Sequence, residues 1–222
     1  MESSLPGGDV PINSVRRRKT RDRLLDAAFE VFAEQCVHAA SVEMICERAG
    51  FTRGAFYSNF SAKEELFFSL MQRENELRIE NLEAGVVAHL GPLSEHGATV
   101  DDDAVAGIIA KFLERQADNR RWRLVQNEFR LLAMRDREVA ATYLQYRAQL
   151  FNQLTTIAVD ALALVSRRFV IDPSLAVRII TELYESAGED LILVGDEEDA
   201  ESVEHSIAHV LPQVLLALTE RF

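Results

Sequence analysis

The sequence predicts an all-α chain, with a three-helix helix-turn-helix unit at its N-terminus and a larger helical body behind it. Three observations carry this. No stretch alternates apolar and polar residues with β-branched character over a strand's length. Apolar residues recur instead at three- and four-residue spacing, as in Leu25, Ala28, Phe29 and Phe32 early and Leu150, Leu154, Ile157 and Ala161 late. Of the five prolines, Pro6, Pro11, Pro92 and Pro173 fall at tails or element boundaries, and only Pro212 interrupts a helical pattern. With 222 residues, 48% of them hydrophobic, the chain can build one large or two small domains around a real core.

In chain order, residues 1–15 are small, polar and broken by Pro and Gly, and read as a disordered tail. The basic run Arg16, Arg17, Arg18, Lys19 and Arg21 leads into a first helix of about Thr20 to Gln35. Ser41 is a good N-cap for a second helix, because its hydroxyl accepts a bond from an otherwise unpaired backbone N–H. Val42, Ile45, Cys46 and Ala49 form one face of that helix, and Gly50 supplies a left-handed stop. Thr52 caps a third helix, on which Phe56 and Phe60 sit four apart and pack back on the second. Ser61 and Glu64 form an S-x-x-E capping box that opens a fourth helix, with Lys63 in its first turn. That helix runs to about Leu82 or beyond, with Gly85 a candidate end or bend.

Residues 91–103, GPLSEHGATVDDD, read as an internal linker. The body's helices are then expected at about 104–118, at Trp122 to Met134, and at about Asp136 to Ser166. Asp172-Pro173 pairs an N-cap with proline at the first helical position and starts a helix to about Val194. A last apolar helix runs from about Ser202, kinked by Pro212.

A helix, a tight Gly turn and a short helix with a polar outer face, over residues 41–60, make a helix-turn-helix pattern. The outer face carries Arg53, Gly54, Tyr57 and Ser58. Arg53 can donate two bonds to a guanine edge, and Gly54 lets a backbone approach closely. Thr52, Tyr57, Ser58 and Lys63 suit phosphate oxygens, and the run Arg16–Lys19 suits an arm on phosphates or in the minor groove. An ordinary helical hairpin with a polar face, and a solvated basic cluster, are the alternatives that pattern alone leaves open.

From Thr20 to Phe68 the chain resembles the DNA-binding domain of the TetR family of transcriptional regulators. The residues that carry the resemblance are Thr20, Leu24, Ala27, Ala28 and Phe32, then Ser41, Val42, Ile45, Ala49 and Gly50, then the run GFTRGAFYSNFSAKEELF. Three positions depart from the pattern: Cys36 stands where a Gly usually ends the first helix, Ala40 where Thr is common, and Asn59 where His is usual. The resemblance implies a DNA-binding domain over about 18–78 and a ligand-binding and dimerisation body over 79–222, joined by the fourth helix. The candidate DNA-contacting set is Arg18, Thr20, Ser41, Thr52, Arg53, Gly54, Tyr57, Ser58, Asn59 and Lys63.

The formal charge of −12 is unevenly spread. Residues 1–63 hold nine basic and eight acidic side chains, leaving fifteen basic against twenty-eight acidic for the rest. A DNA binder needs a locally basic surface, not a basic protein, and an acidic body keeps DNA at one end. Two cysteines, no signal-peptide core and no bilayer-length apolar run point to a cytoplasmic chain with no membrane partner. Cys46 reads as a buried core thiol; a sensor role for Cys36, or a Cys36–Cys46 bridge, is the lesser alternative.

Two long apolar C-terminal helices expose more surface than one small body hides, and the resemblance likewise implies a homodimer through the last two helices. The interface residues expected are Leu183, Ile207, Val210, Leu211, Val214, Leu215 and Leu218. The resemblance also implies a small-molecule effector inside the body. Candidate lining residues are Trp122, Glu128, Phe129, Tyr143, Arg147, Phe151 and Tyr184. Arg147 sits on an otherwise apolar stripe and needs a partner: Glu128, an anionic ligand, or solvent reached by snorkelling. His205 and His209 have metal-gripping spacing but no third ligand, so no metal and no cofactor are expected. No phosphate loop, nucleophile elbow or metal triad marks an enzyme. The function these features predict is a dimeric, ligand-released repressor of a palindromic operator. The alternative is a helical adaptor that binds proteins and has lost DNA readout.

Overall fold

The computed structural model describes residues 12–95, 120–194 and 210–222. It divides into two compact units, one up to Gln72 and one from Arg73.

In the first unit, α1 spans Ile12–Ala39, α2 Val42–Ala49 and α3 Arg53–Tyr57, and α4, Lys63–Glu95, begins there. α1 starts earlier than the expected Thr20, because nothing between Ile12 and Lys19 breaks a helix; residues 1–11 of the expected tail lie outside the described residues. Its inward face holds Leu24, Leu25, Ala28, Val31 and Phe32, all buried. Phe29 is only half-buried. Phe32 meets Phe67 of α4 edge-on, with ring centroids 5.4 Å apart. Also buried in this unit are Ile45 and Cys46 of α2, Phe56 of α3, and Leu66, Leu70 and Met71 of α4. Burial raises the pKa of the Cys46 thiol, as a core cysteine requires.

α2 keeps its expected bounds. The Ser41 hydroxyl accepts from the Met44 amide at 3.2 Å, and Gly50 closes the helix at φ 69°. α3 is only five residues long, so Phe60 lies beyond the helix rather than on it. The capping residue of α4 is Glu65, not Glu64: its carboxylate accepts from both the Ser61 amide and the Ser61 hydroxyl at 2.7 Å. The helix begins at Lys63, which makes Glu65 its third residue, the position whose side chain reaches back. Those two bonds also lower the pKa of the Glu65 carboxyl.

Cys36 breaks α1 at φ 59°, ψ 159°. That backbone region is essentially reserved for glycine, because a Cβ collides there. The strain is held from outside. The Lys63 ammonium donates to the carbonyls of Val37 and Ala40, both at 2.8 Å, and more weakly to that of His38 at 3.4 Å. Three carbonyls that the kink leaves without helical partners thus converge on one cation.

The second unit holds α4 from Arg73 onward, α5 (Arg120–Arg135), α6 (Arg137–Leu164), β1 (Arg167–Phe169), α7 (Pro173–Val194), helical residues 210–217 and β2 (Thr219–Arg221). α4 passes through Gly85 and through Gly91-Pro92 to Glu95, so the expected linker is helical over 91–95. Its remaining residues, 96–103, and the expected helix of 104–118 lie outside the described residues, as does 202–209 of the last helix. α6 is capped by Asp136, whose carboxylate accepts from the Glu138 and Val139 amides. Asp172 caps α7 in the same way, accepting from the Leu175 amide at 3.1 Å.

The all-helical expectation gains one small addition: β1 and β2 pair antiparallel, Arg167 opposite Arg221 and Phe169 opposite Thr219. Three-residue strands are too short for any alternation to show. Arg167, 5% exposed, locks them together, its guanidinium donating to the Thr219 hydroxyl at 3.0 Å and carbonyl at 3.2 Å.

The strain at Cys36 predicts that Cys36→Gly raises stability by about 1–2 kcal/mol, the relieved strain less glycine's extra chain entropy. Urea unfolding checks it; an unchanged or lowered midpoint contradicts the strain.

Candidate nucleic-acid interface

A five-residue helix has no independent stability, so α3 is oriented by what its neighbours do to it. Phe56, fully buried, is its anchor, 5.8 Å from the ring of Phe60. The Arg21 guanidinium lies 4.2 Å from the centre of the Phe60 ring and donates to the Asn59 carbonyl at 3.0 Å and the Ser69 hydroxyl at 2.8 Å. Arg17 donates to the Ser58 carbonyl at 3.3 Å, tying the basic run of α1 to the end of α3. Arg23 donates to the Ala49 carbonyl at 2.8 Å and covers Phe51.

These contacts sort the expected residues. Thr52, Arg53, Gly54, Tyr57 and Ser58 share the exposed outer side of α3, with Arg16, Arg17 and Arg18 exposed on α1. Thr20 and Ser41 are half-buried; the Thr20 hydroxyl donates back to the Arg16 carbonyl. Two expected contacts are corrected. Asn59 is 8% exposed and turned inward, its amide donating to the Ala55 carbonyl at 2.8 Å. Lys63 spends its ammonium on the Cys36 turn. Arg21, counted with the basic run, also serves the fold. Arg17, expected only as part of the basic arm, also contacts the end of α3, which its place in the run did not signal.

Arg53 forms an ion pair with Glu43 of α2, and its guanidinium stands 3.5 Å from the Tyr57 hydroxyl. The Tyr57 hydroxyl, then the Glu43 carboxylate, raise its pKa. Both side chains of the pair are more than half exposed, so a guanine edge or phosphate can replace Glu43 at little cost.

Gly54 is informative because the fold does not need it. It has no positive φ, and a Cβ there meets nothing nearer than the Thr52 hydroxyl at 3.8 Å. A helical glycine costs about 1 kcal/mol relative to alanine. Neither backbone conformation nor packing among the described residues accounts for that cost.

The second unit contains an apolar cavity of about 330 Å³. Trp122 and Tyr184 line it, together with residues the sequence reading did not include: Ile79, Leu82 and Val86 of α4, and Tyr146 and Leu150 of α6. The spacing of Ile79, Leu82, Val86 and Leu90 along α4 was the available signal. Tyr143, Arg147 and Phe151 line a separate small cleft of about 20 Å³. Phe129 is core, 1% exposed and edge-on to Tyr143 at 5.0 Å. Glu128 lines neither space among the described residues, and Arg147 pairs with Glu182 of α7 rather than with Glu128.

Among the expected interface residues, Leu211 is 2% exposed and Leu215 lines the cavity, so both are used inside the chain. Leu183, Val214 and Leu218 are half-buried, Val210 is exposed, and Ile207 lies outside the described residues. No helix among the described residues is long and apolar enough to cross a membrane. Nor, among them, is there a group of three side chains that could hold a metal; His205 and His209 lie outside them.

Residues 24–70 match the profile of a family described as bacterial regulatory proteins, tetR family. The HTH-type transcriptional activator FasR of Mycolicibacterium smegmatis is 39% identical over 80 residues, 36% of this chain and 35% of that protein. The chain thus aligns to about a third of that relative's length. A TetR-family transcriptional regulator of Mesorhizobium loti is similar in fold with a TM-score of 0.70 at 16% identity, covering 92% of this chain and 98% of that one. FadR of Bacillus subtilis, solved in complex with stearoyl-CoA, gives 0.64 at 22% identity, covering 87% and 98%.

Two substitutions separate outward from inward residues. Gly54→Ala should raise stability by about 0.5–1 kcal/mol, since its Cβ meets open space. Lys63→Met should lower it by about 1–3 kcal/mol through loss of charged hydrogen bonds to carbonyls. Thermal or urea unfolding reads both; a destabilising Gly54→Ala would mean the fold itself requires the glycine.

Proposed function

Because this chain belongs to the TetR family of bacterial regulatory proteins, we propose that it is a sequence-specific DNA-binding transcriptional regulator, a cytoplasmic repressor that binds a palindromic operator as a dimer and is released by a small molecule. The observation that carries the reading is the outer side of α3, where Gly54 is bare for no internal reason beside Arg53, Tyr57 and Ser58. α3 enters the major groove, Arg53 exchanges Glu43 for a base edge, and Gly54 admits the DNA backbone or a thymine methyl. Arg16, Arg17 and Arg18, with the Thr52 and Ser58 hydroxyls, take phosphates.

One such head touches few base pairs, so a second copy is needed for specificity. Support for pairing comes from α7, where Leu175 and Ile179 are 51% and 42% exposed one turn apart, in line with Leu183, and from exposed Val210 of the C-terminal helix. The effector belongs in the apolar cavity of the second unit. An effector that favours the DNA-incompatible state of the dimer weakens DNA binding by the factor by which DNA weakens its own. The M. smegmatis relative is named an activator, but the stretch shared with it is the head, which reads an operator without deciding what occupancy does. Repression needs the fewest contacts, since an occupied operator excludes polymerase unaided.

Selection from a random DNA pool, with affinity then measured against salt, tests the proposal. The expected result is a palindromic site whose affinity falls steeply with salt. Arg53→Ala should lose about 1–3 kcal/mol of discrimination at one base of each half-site. Gly54→Ala should bind the site at least tenfold more weakly while folding at least as stably as the native chain. No enrichment, or variants that bind like the native chain, would favour a protein-binding adaptor instead.

A further inference from the structure

Arg123 of α5 is placed at a cost that its partners among the described residues do not recover. It is 6% exposed. Among the described residues its contacts are one 3.3 Å bond from the guanidinium to the Glu185 carbonyl and a position 5.1 Å from the centre of the Tyr184 ring. Among the described residues no carboxylate forms an ion pair with it. Room for it is made by Gly188 of α7: a Cβ there would lie 1.8 Å from the guanidinium carbon. A helical glycine and a buried cation are both destabilising, and both serve this one placement. Where two such features converge without an internal gain, a site is the physical expectation.

The guanidinium lines the small cleft of about 20 Å³, which has room for one small polar group. That cleft shares Gln126, Tyr146, Leu150 and Glu185 as walls with the apolar cavity of about 330 Å³. Two carboxylates, Glu185 and Glu189, line the cleft as well, and among the described residues neither forms an ion pair with Arg123. Arg147 is taken by Glu182, and Arg130 is solvent-exposed. Glu185 accepts from the Gln126 amide at 3.2 Å, and burial, with Glu182 next, raises its pKa. An under-compensated buried carboxyl can neutralise itself with a proton, whereas a guanidinium keeps its charge and can only be met by an anion. That asymmetry chooses between the two signs of ligand this region could take.

We infer that the effector is an amphipathic organic anion, with a carboxylate-sized head bound to Arg123 and an apolar body in the adjoining cavity. This rests on the reading of the cavity as the effector site and names the class of molecule that fills it. The cleft is too small for a nucleotide or a bulky phosphate ester to enter whole. The cavity lies at the low end of the roughly 300–1,000 Å³ usual for ligand sites, which suits a single chain or small ring system.

Trp122 is the chain's one tryptophan and lines the cavity, so its fluorescence reports occupancy directly. The full chain is titrated with decanoate, decanol and decylammonium, which differ in head charge on one body. The expected order is decanoate at least tenfold tighter than decanol, with decylammonium weakest. Arg123→Met and, independently, Gly188→Ala, which displaces the guanidinium, should bring decanoate down to the level of decanol while decanol binding persists. Retained decanol binding shows that each variant is folded; Arg123→Lys should keep part of the preference. Decylammonium binding tightest would overturn the inference and make Glu185 the anchor. Equal binding of all three probes, or none, would overturn it as well. The assay contains no DNA, so a failure here leaves operator binding to be judged by its own measurement, and a failure there leaves this result standing.

Discussion

The ammonium of Lys63 holds the carbonyls of Val37 and Ala40 at 2.8 Å, and the geometry of the N-terminal unit follows from it. α1 must end so that α2 can cross it, and it ends at a cysteine in a backbone conformation suited to glycine. The strain is tolerated because a cation from the start of α4 satisfies the carbonyls freed by the kink. The same contact fixes where α4 begins. Ser61 and Glu65 then close the helix start, and Phe67 is delivered to Phe32. α3 is therefore suspended between two clamped elements rather than stabilised by its own five residues.

A division of labour among the basic residues results. The half-buried Arg21 and Lys63, and the more exposed Arg23, bond to backbone or side-chain oxygens of the unit. Arg16 and Arg18 are exposed, and Arg17 and Arg53 are exposed with surface partners only, the Ser58 carbonyl and the Glu43 carboxylate. Charge count alone cannot make that distinction. The inward set is worth more to stability because its partners are part-buried; the outward set costs little to rearrange and so is free for a phosphate or base edge.

Much of the unit was legible because local rules act within a few residues. Ser41 and Gly50 bound α2, Thr52 opens α3, and Asp172-Pro173 opens α7, since caps and stops depend on near-neighbour backbone groups. What was not legible depends on distant partners. The Asn59 backbone carbonyl is taken by Arg21 of α1, and Lys63 is consumed by a turn more than twenty residues away. Glu65 rather than Glu64 caps α4, because a one-residue shift of the helix start moves the reaching position. In the body, periodicity placed the helices, yet Arg147 paired with Glu182 and Leu211 turned inward, because which side of a wide apolar stripe is covered depends on its neighbours. The sequence reading did not single out Arg123; only its burial and its close approach to Gly188 mark it.

The central claim is that inward cations build the head and outward cations bind DNA. Comparing the salt dependence of operator binding for Arg17→Met and Lys63→Met tests it most directly. The account predicts that Arg17→Met lowers the slope of log affinity against log salt by about one, the signature of one lost phosphate contact, and that Lys63→Met leaves the slope unchanged. A slope that falls with Lys63→Met and stays constant with Arg17→Met would contradict it.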